Sequence, residues 1–291
     1  MKRAIARLAT RALTLPDSPE TLDRIEGELL RTLHAVEAKR RGLLARSGFL
    51  PKILNARGDG RLGVAIREAR PPWSGQDVGT CDVPGMLKPE EAGYYLYLGQ
   101  FYSGAGEFVE LGPWLGRSTH FIVRGLADNP NFRSRKLHVY DDFVWRHWMD
   151  PRAPEADRRE RHADFRDVFD RYARPIADEI IVEKRRIVTF DGNDDVEQLA
   201  WSGKPVEIIV ADCGRTFEVN EAWWQIFSPS FIPGRTLIAL QDWGTHREVP
   251  VKWYNQIKTW VDSKGAELQL VHELRHGGIA TFLYRGPVND A

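Results

Sequence analysis

Two cysteines, Cys81 and Cys213, are all that the chain contains. They stand far apart and in no metal-ligand spacing. That removes a multi-disulfide framework and a thiolate metal site; one disulfide stays open as the alternative, and a reduced, cytoplasmic protein is the expectation. The sequence has no apolar run of about 18 residues, so no transmembrane helix is expected. Net charge is lacking as well: 41 Lys and Arg stand against 41 Asp and Glu. A neutral balance disfavours a general nucleic-acid or anionic-membrane binder. Internal repeats and low-complexity segments are missing. The stretch from Met1 to Leu15 is basic and amphipathic but has no continuous apolar core of signal-peptide type, and it reads as a helical tail.

What is present is enough apolar material, 42% of 291 residues, for one large α/β domain with an appendage. Ser18, Pro19 and Glu20 form a plausible helix start, and Leu22, Ile25, Leu29, Leu33 and Val36 follow at helical spacing. This predicts a helix over 18–46 with one apolar stripe. Its partner is either the main domain or, functionally, a second copy in a homodimer or the rim of the site. Residues 55–84 are rich in Gly, Pro and polar side chains and read as a linker. The expected division is therefore a helical extension at 1–54, a linker at 55–84 and the main domain at 85–291, opening with a helix over 85–104.

The main domain is organised around residues 106–119. Phe108, Val109 and Leu111 form a short apolar run of the buried-strand type; Gly112 and Gly116 break it; Phe121, Ile122 and Leu126 resume at helical spacing. Strand, glycine turn and helix make a nucleotide-binding start, in which the first helical N–H groups face whatever lies over the turn. A third glycine is lacking, and Trp114 sits inside the loop, which argues against the pyrophosphate cradle of an NAD enzyme. A second strand around Leu137 and Val139 ends at Asp141 and Asp142, an acid position suited to the hydroxyls of a ribose. Asp141 is preferred over Asp142. Ile180–Val182 is a third strand candidate, and a Gly-containing turn follows at 191–195. Val206 to Val210 is a buried strand ending at Asp212, and the next apolar strand ends at Asp242. A hairpin around 268–284 closes the sheet. Residues 146–175 read as a solvated, charged helix with an insertion.

Glu110-x-Gly112-x-x-x-Gly116, followed by Arg117, Ser118 and Thr119, resembles the first motif of class I S-adenosylmethionine-dependent methyltransferases, in a small-molecule or sugar O-methyltransferase subgroup. The resemblance spans roughly 85–286. It implies a mostly parallel Rossmann-like sheet with an antiparallel C-terminal strand. It also implies cofactor contacts from Glu110, Gly112, Trp114, Gly116, Ser118, Asp141, Asp142, Gly192 and Asp212. The opening helix would lie beside the cofactor, with Tyr94, Tyr95 and Tyr97 as lining or as core. Related enzymes hold a divalent cation with Asp-Gly-Asp-His and Asp-Asp; here the matching positions read Asp212, Cys213, Gly214, Arg215 and Gln241, Asp242. Asp212 and Asp242 would be the remaining ligands for Mg²⁺, and Arg215 brings a competing charge or pairs with Asp212. His246, Asp242 and Asp212 are the catalytic candidates, with His246 as base if the loop lets Asp242 orient it. The expected reaction is O-methylation of a small molecule or glycan sugar. A non-catalytic scaffold, a metal-dependent catechol-type methyltransferase and an NAD-dependent oxidoreductase are the alternatives.

Overall fold

The computed structural model describes residues 71, 73, 76–248, 255–274 and 277–287. The expected helix over 18–46, with its homodimer surface, lies outside the described residues. The chain divides into two compact units, Met1–Lys52 with Arg247–Val251 and the remainder, and the sheet lies in the second.

Seven strands form one sheet: β1 Glu107–Leu111, β2 Leu137–Asp141, β3 Ile180–Lys184, β4 Val206–Ala211, β5 Leu237–Leu240, β6 Leu268–Glu273 and β7 Ala280–Tyr284. Their order is β3-β2-β1-β4-β5-β7-β6. The first five strands are parallel, and β7 enters antiparallel between β5 and β6. Chain order reverses at β1, between β2 and β4, and ligands of open α/β sheets sit outside the carboxyl ends at such a point. This is the Rossmann-like class I methyltransferase sheet that the sequence implied.

The central strands are apolar on both faces because helices cover both. Phe108, Leu137, Val139, Ile208 and Val210 point into one buried layer. Val109, Leu111, Tyr140, Ile209 and Ile238 point into the other. The first layer is roofed by α1 Pro89–Phe101, α2 Arg117–Ala127 and α3 Arg166–Ala173; the second by α4 Phe217–Phe227 and α6 Ile257–Ser263, after the short α5 Thr245–Glu248. Helix α1 is shorter than the expected 85–104. Pro89 opens it, and Glu91 Oε2 accepts the Lys88 N–H at 2.7 Å. It crosses α2 backbone to backbone: a Cβ on Gly125 would lie 1.9 Å from the Leu96 carbonyl oxygen, and one on Gly99 2.3 Å from that of Ile122.

Two expectations change. Residues 146–175 are not merely a solvated face. Phe165 and Phe169 pack edge-on against Phe143, and Asp157 is buried where it accepts from Arg171 and the Tyr172 hydroxyl. The charges sit around an aromatic wedge, which short-range charge patterning does not reveal. The described part of 55–84 is also held down: Arg117 Nη1 donates to the Val83 carbonyl at 2.7 Å, and Arg124 Nη2 to that of Thr80 at 3.0 Å. Among the described residues no helix is long and apolar enough to cross a membrane.

Candidate functional site

Glu110, Asp141, Asp212 and Asp242 lie at the carboxyl ends of β1, β2, β4 and β5 along one edge of the sheet. The turn after β1 passes directly over β4. Gly112 has φ of 80°, and a Cβ there would come within 2.4 Å of the Asp212 carbonyl oxygen. Gly116, at φ 93°, caps α2. Between them Trp114 holds a positive φ of 50°, a conformation that bulky residues rarely adopt. Phe143 (51°) and His162 (67°) share this departure, so all three non-glycine outliers among the described residues lie in loops around this edge.

Glu110 is 1% exposed. Its Oε2 accepts from Thr119 Oγ1 at 2.7 Å, while Oε1 is buried with no protein partner. Burial pushes its carboxyl up to about 7, against the nearby Ser118 and Thr119 hydroxyls, which pull the other way. A buried carboxylate oxygen without a donor is costly and calls for a ligand's N–H, O–H or positive charge.

The two acids after β2 have different work. Asp142 is consumed by its surroundings: Oδ1 accepts from Val144 N at 3.2 Å and Arg146 Nη1 at 2.9 Å, and Oδ2 from Asn193 Nδ2 at 2.8 Å. Burial raises its carboxyl, but Arg146 and Asn193 outweigh that and hold it below the usual range. Asp141 has no side-chain partner of this kind. It takes the Phe143 N–H at 2.7 Å and the backbone of Trp114, and burial, then Asp142, raises it to about 7. Asp141 is thus the carboxylate that faces the glycine turn, and Asp142 is a structural clamp.

That clamp reaches the 191–195 turn through Asn193, which also accepts the Phe190 N–H at 2.6 Å. Gly192 itself faces protein: at φ 85° a Cβ would strike the His162 ring at 2.5 Å. The side-chain space at Gly192 is thus filled by His162, and Asn193 is the residue that ties this turn to β2.

At β4 and β5 the sequence expectations need two corrections. Arg215 does not pair with Asp212. It forms a bidentate pair with Asp242, Nε to Oδ2 at 2.6 Å and Nη2 to Oδ1 at 2.9 Å. Nor does Asp242 orient His246. The His246 Nδ1 donates to the Trp243 carbonyl, and its ring lies 4.5 Å from that of Trp243. A carbonyl only accepts, so Nδ1 carries the proton and Nε2 is the basic nitrogen. Asp212 keeps no side-chain ion pair; burial, then Asp242 and Glu110, hold its carboxyl well above the usual range.

Helix α1 supplies Tyr95, which of the three tyrosines offered as lining or core is the one among these acids, and Glu91, which the sequence did not mark. The Tyr95 hydroxyl donates to Gln241 Oε1; burial, then the charges of Asp212, Glu110, Glu91 and Asp242 around it, raise it well above its ordinary value. Glu91 Oε1 accepts the Gly278 N–H at 2.6 Å, and Gly278 in turn accepts the Gly244 N–H at 2.9 Å. Tyr94 is core, bonded to Thr281. Tyr97 stacks on Trp73 and Phe101. The edge is therefore strongly acidic, with Arg215 as a local counter-charge, and it suits a ligand that carries positive charge and hydroxyl donors.

No family model matches the chain. No curated protein matches it either. Among solved structures it is similar to the O-methyltransferase NovP, at 15% identity and a TM-score of 0.46 over 69% of this chain and 82% of that one. It is similar to cofactor-bound Rv0187 from MTB, at 15% identity and a TM-score of 0.45 over 82% and 94%. A third, the TDP-rhamnose 3'-O-methyltransferase of calicheamicin biosynthesis, gives 13% identity and a TM-score of 0.41 over 92% and 96%. Strand order, strand direction and the turn after β1, seen in the chain itself, are what place it in the class I S-adenosylmethionine-dependent methyltransferase fold.

Proposed function

We propose that the protein is an S-adenosylmethionine-dependent methyltransferase acting on a hydroxyl of a small molecule or sugar. The observation that carries this reading is the partnerless Oε1 of Glu110, buried beside a glycine turn and in line with Asp141 and Asp212. A cofactor with an ammonium, a sulfonium and ribose hydroxyls offers both the charge and the donors that this edge lacks. A pyrophosphate would meet carboxylates instead. Glu110, Ser118 and the turn from Gly112 to Gly116 would hold the amino-acid end, and Asp141 the ribose. Trp114, against Trp148 at 5.8 Å between ring centroids, would wall the loop.

When bound, the cofactor supplies a methyl group that an acceptor oxygen displaces from sulfur, leaving a neutral thioether. The chain's task is to hold acceptor and methyl in line and to take the hydroxyl proton. Asp212 is suited to that task. It has no ion-pair partner, and its raised carboxyl makes it a stronger base than an ordinary aspartate once deprotonated. His246, through Nε2, is the second candidate. Asp242 is tied to Arg215 and serves to position rather than to accept a proton.

The test is methyl transfer to a panel of hydroxyl acceptors, read as S-adenosylhomocysteine formed. Turnover that Asp212→Asn removes and His246→Gln only reduces supports the assignment. Cofactor binding with no turnover on any acceptor favours the second reading, a scaffold that keeps the fold and has closed its acceptor side with the Arg215–Asp242 pair.

A further inference from the structure

We infer that the guanidinium of Arg215 takes the place of a divalent cation at the ends of β4 and β5 and keeps metal out of the acceptor side. The meaning of that place rests on the methyltransferase reading; the ion pair itself does not. Magnesium demands a near-octahedral set of oxygens with carboxylates among them. Here both oxygens of Asp242 are engaged by Arg215, and Gln241 Oε1 is engaged by Tyr95. Position 214 is glycine, and the space for a side chain there is filled: a Cβ would meet Val219 Cγ1 at 2.5 Å. Asp212 alone keeps a carboxylate without an ion pair. Among the described residues no group of three or more His, Cys, Asp or Glu side chains is arranged to hold a metal ion.

The pair is anchored on both sides. The Arg215 carbonyl accepts the Gln256 N–H at 2.8 Å, and Gln256 Oε1 accepts the Phe217 N–H at 2.9 Å, fixing the start of α4. The Asp242 carbonyl accepts from the Thr245 N–H at 3.0 Å and from its hydroxyl at 2.6 Å. A dication entering here would have to displace a guanidinium that never titrates, or sit beside it against like-charge repulsion. The chemical consequence concerns the acceptor. A cation can chelate a vicinal diol and ionise one of its hydroxyls. A guanidinium can only attract the developing negative charge, so a protein base must take the proton, and the acceptor needs no chelating pair of oxygens.

The experiment is Mn²⁺ titration of the full chain, followed by electron paramagnetic resonance, with an S-adenosylhomocysteine titration on the same samples. The wild type is expected to show no saturable Mn²⁺ site, and the same S-adenosylhomocysteine affinity in Mg²⁺ and in chelator. Arg215→Gln is expected to gain one Mn²⁺ site, with affinity improved by roughly tenfold or more from the lost repulsion. That site should disappear again in Arg215→Gln/Asp242→Asn. Arg215→Lys keeps the charge and should stay closed, which covers the case in which the neutral variant misfolds. A wild-type Mn²⁺ site that Asp242→Asn abolishes would overturn the inference. So would a folded Arg215→Gln that gains none, or a folded Arg215→Lys that binds Mn²⁺. S-adenosylhomocysteine binding reports the cofactor reading independently, so either conclusion can fail without the other.

Discussion

The two halves of the sheet's carboxyl edge solve the problem of buried acids in opposite ways. At β1 and β2, Glu110 and Asp141 are left without a positive partner and both are pushed up to about 7. At β5, Asp242 has its counter-charge built in, through two hydrogen bonds from Arg215. The first half is incomplete as a protein and reads as prepared for a cationic, hydroxyl-bearing ligand. The Arg215–Asp242 pair is complete on its own and reads as a fixed wall for the acceptor, with Asp212 beside it left without an ion pair. Buried polar groups are normally satisfied, so the unsatisfied half is where a ligand belongs.

Four perturbations break or sharpen that contrast. Asp212→Asn has the largest expected effect. Loss of a general base should lower kcat by about 10²- to 10⁴-fold, with cofactor affinity changed far less, as measured by turnover and by titration. Asp141→Ala comes next. Losing charge-assisted hydrogen bonds together worth about 3 kcal/mol should weaken S-adenosylhomocysteine binding by roughly 100-fold.

Glu110→Gln should act in two directions. The folded-state carboxyl lies above its unfolded value, so the native state binds more protons between those values and stability falls as pH rises from about 4.5 to 7. Removing the charge should therefore raise apo stability at pH 8 by about 3 kcal/mol and flatten that part of the profile. The same change should weaken the cofactor by about tenfold. Denaturant melts at pH 5 and pH 8 beside a titration check both signs. The smallest effect on binding should come from Asp142→Asn. It loosens the Arg146 and Asn193 clamp, costs about 1–2 kcal/mol of stability, and leaves affinity within about threefold. If Asp142→Asn abolished binding and Asp141→Ala did not, the assignment of the two acids would be reversed.

The frame of this site was legible because it is written in short-range pattern. Apolar runs ending in Glu110, Asp141, Asp212 and Asp242, with glycines after the first, give strands, turns and an acidic edge before any coordinates. Strand pairing then follows from connection rules, and the antiparallel closure from the hairpin at the C-terminal end. Side-chain pairing was not legible. Whether Arg215 turns to Asp212 or Asp242 depends on how β4 and β5 are offset and on where Gln256 pins the backbone. His246 stands four residues from Asp242, yet its ring is taken by the Trp243 carbonyl, a partner that no spacing rule names. Asn193 joins residues 51 positions apart in sequence, and nothing local marks it. Gly192 came from the resemblance alone, and nothing local announced that the His162 ring fills the space beside it. The aromatic wedge of Phe143, Phe165 and Phe169 was hidden inside a stretch whose charges dominate its composition.

The account turns on one claim, that the β1–β2 half awaits an adenosyl ligand bearing an ammonium and ribose hydroxyls. Calorimetric titration of the full chain near pH 7 with S-adenosylhomocysteine and with NADH, in two buffers of different ionisation enthalpy, tests it most directly. The account predicts micromolar binding of S-adenosylhomocysteine alone, with protons released to the buffer as Glu110 and Asp141 ionise against the ligand, and with affinity roughly 100-fold weaker and proton release reduced in Asp141→Ala. No heat with S-adenosylhomocysteine at millimolar concentration, or binding of NADH in its place, would contradict it.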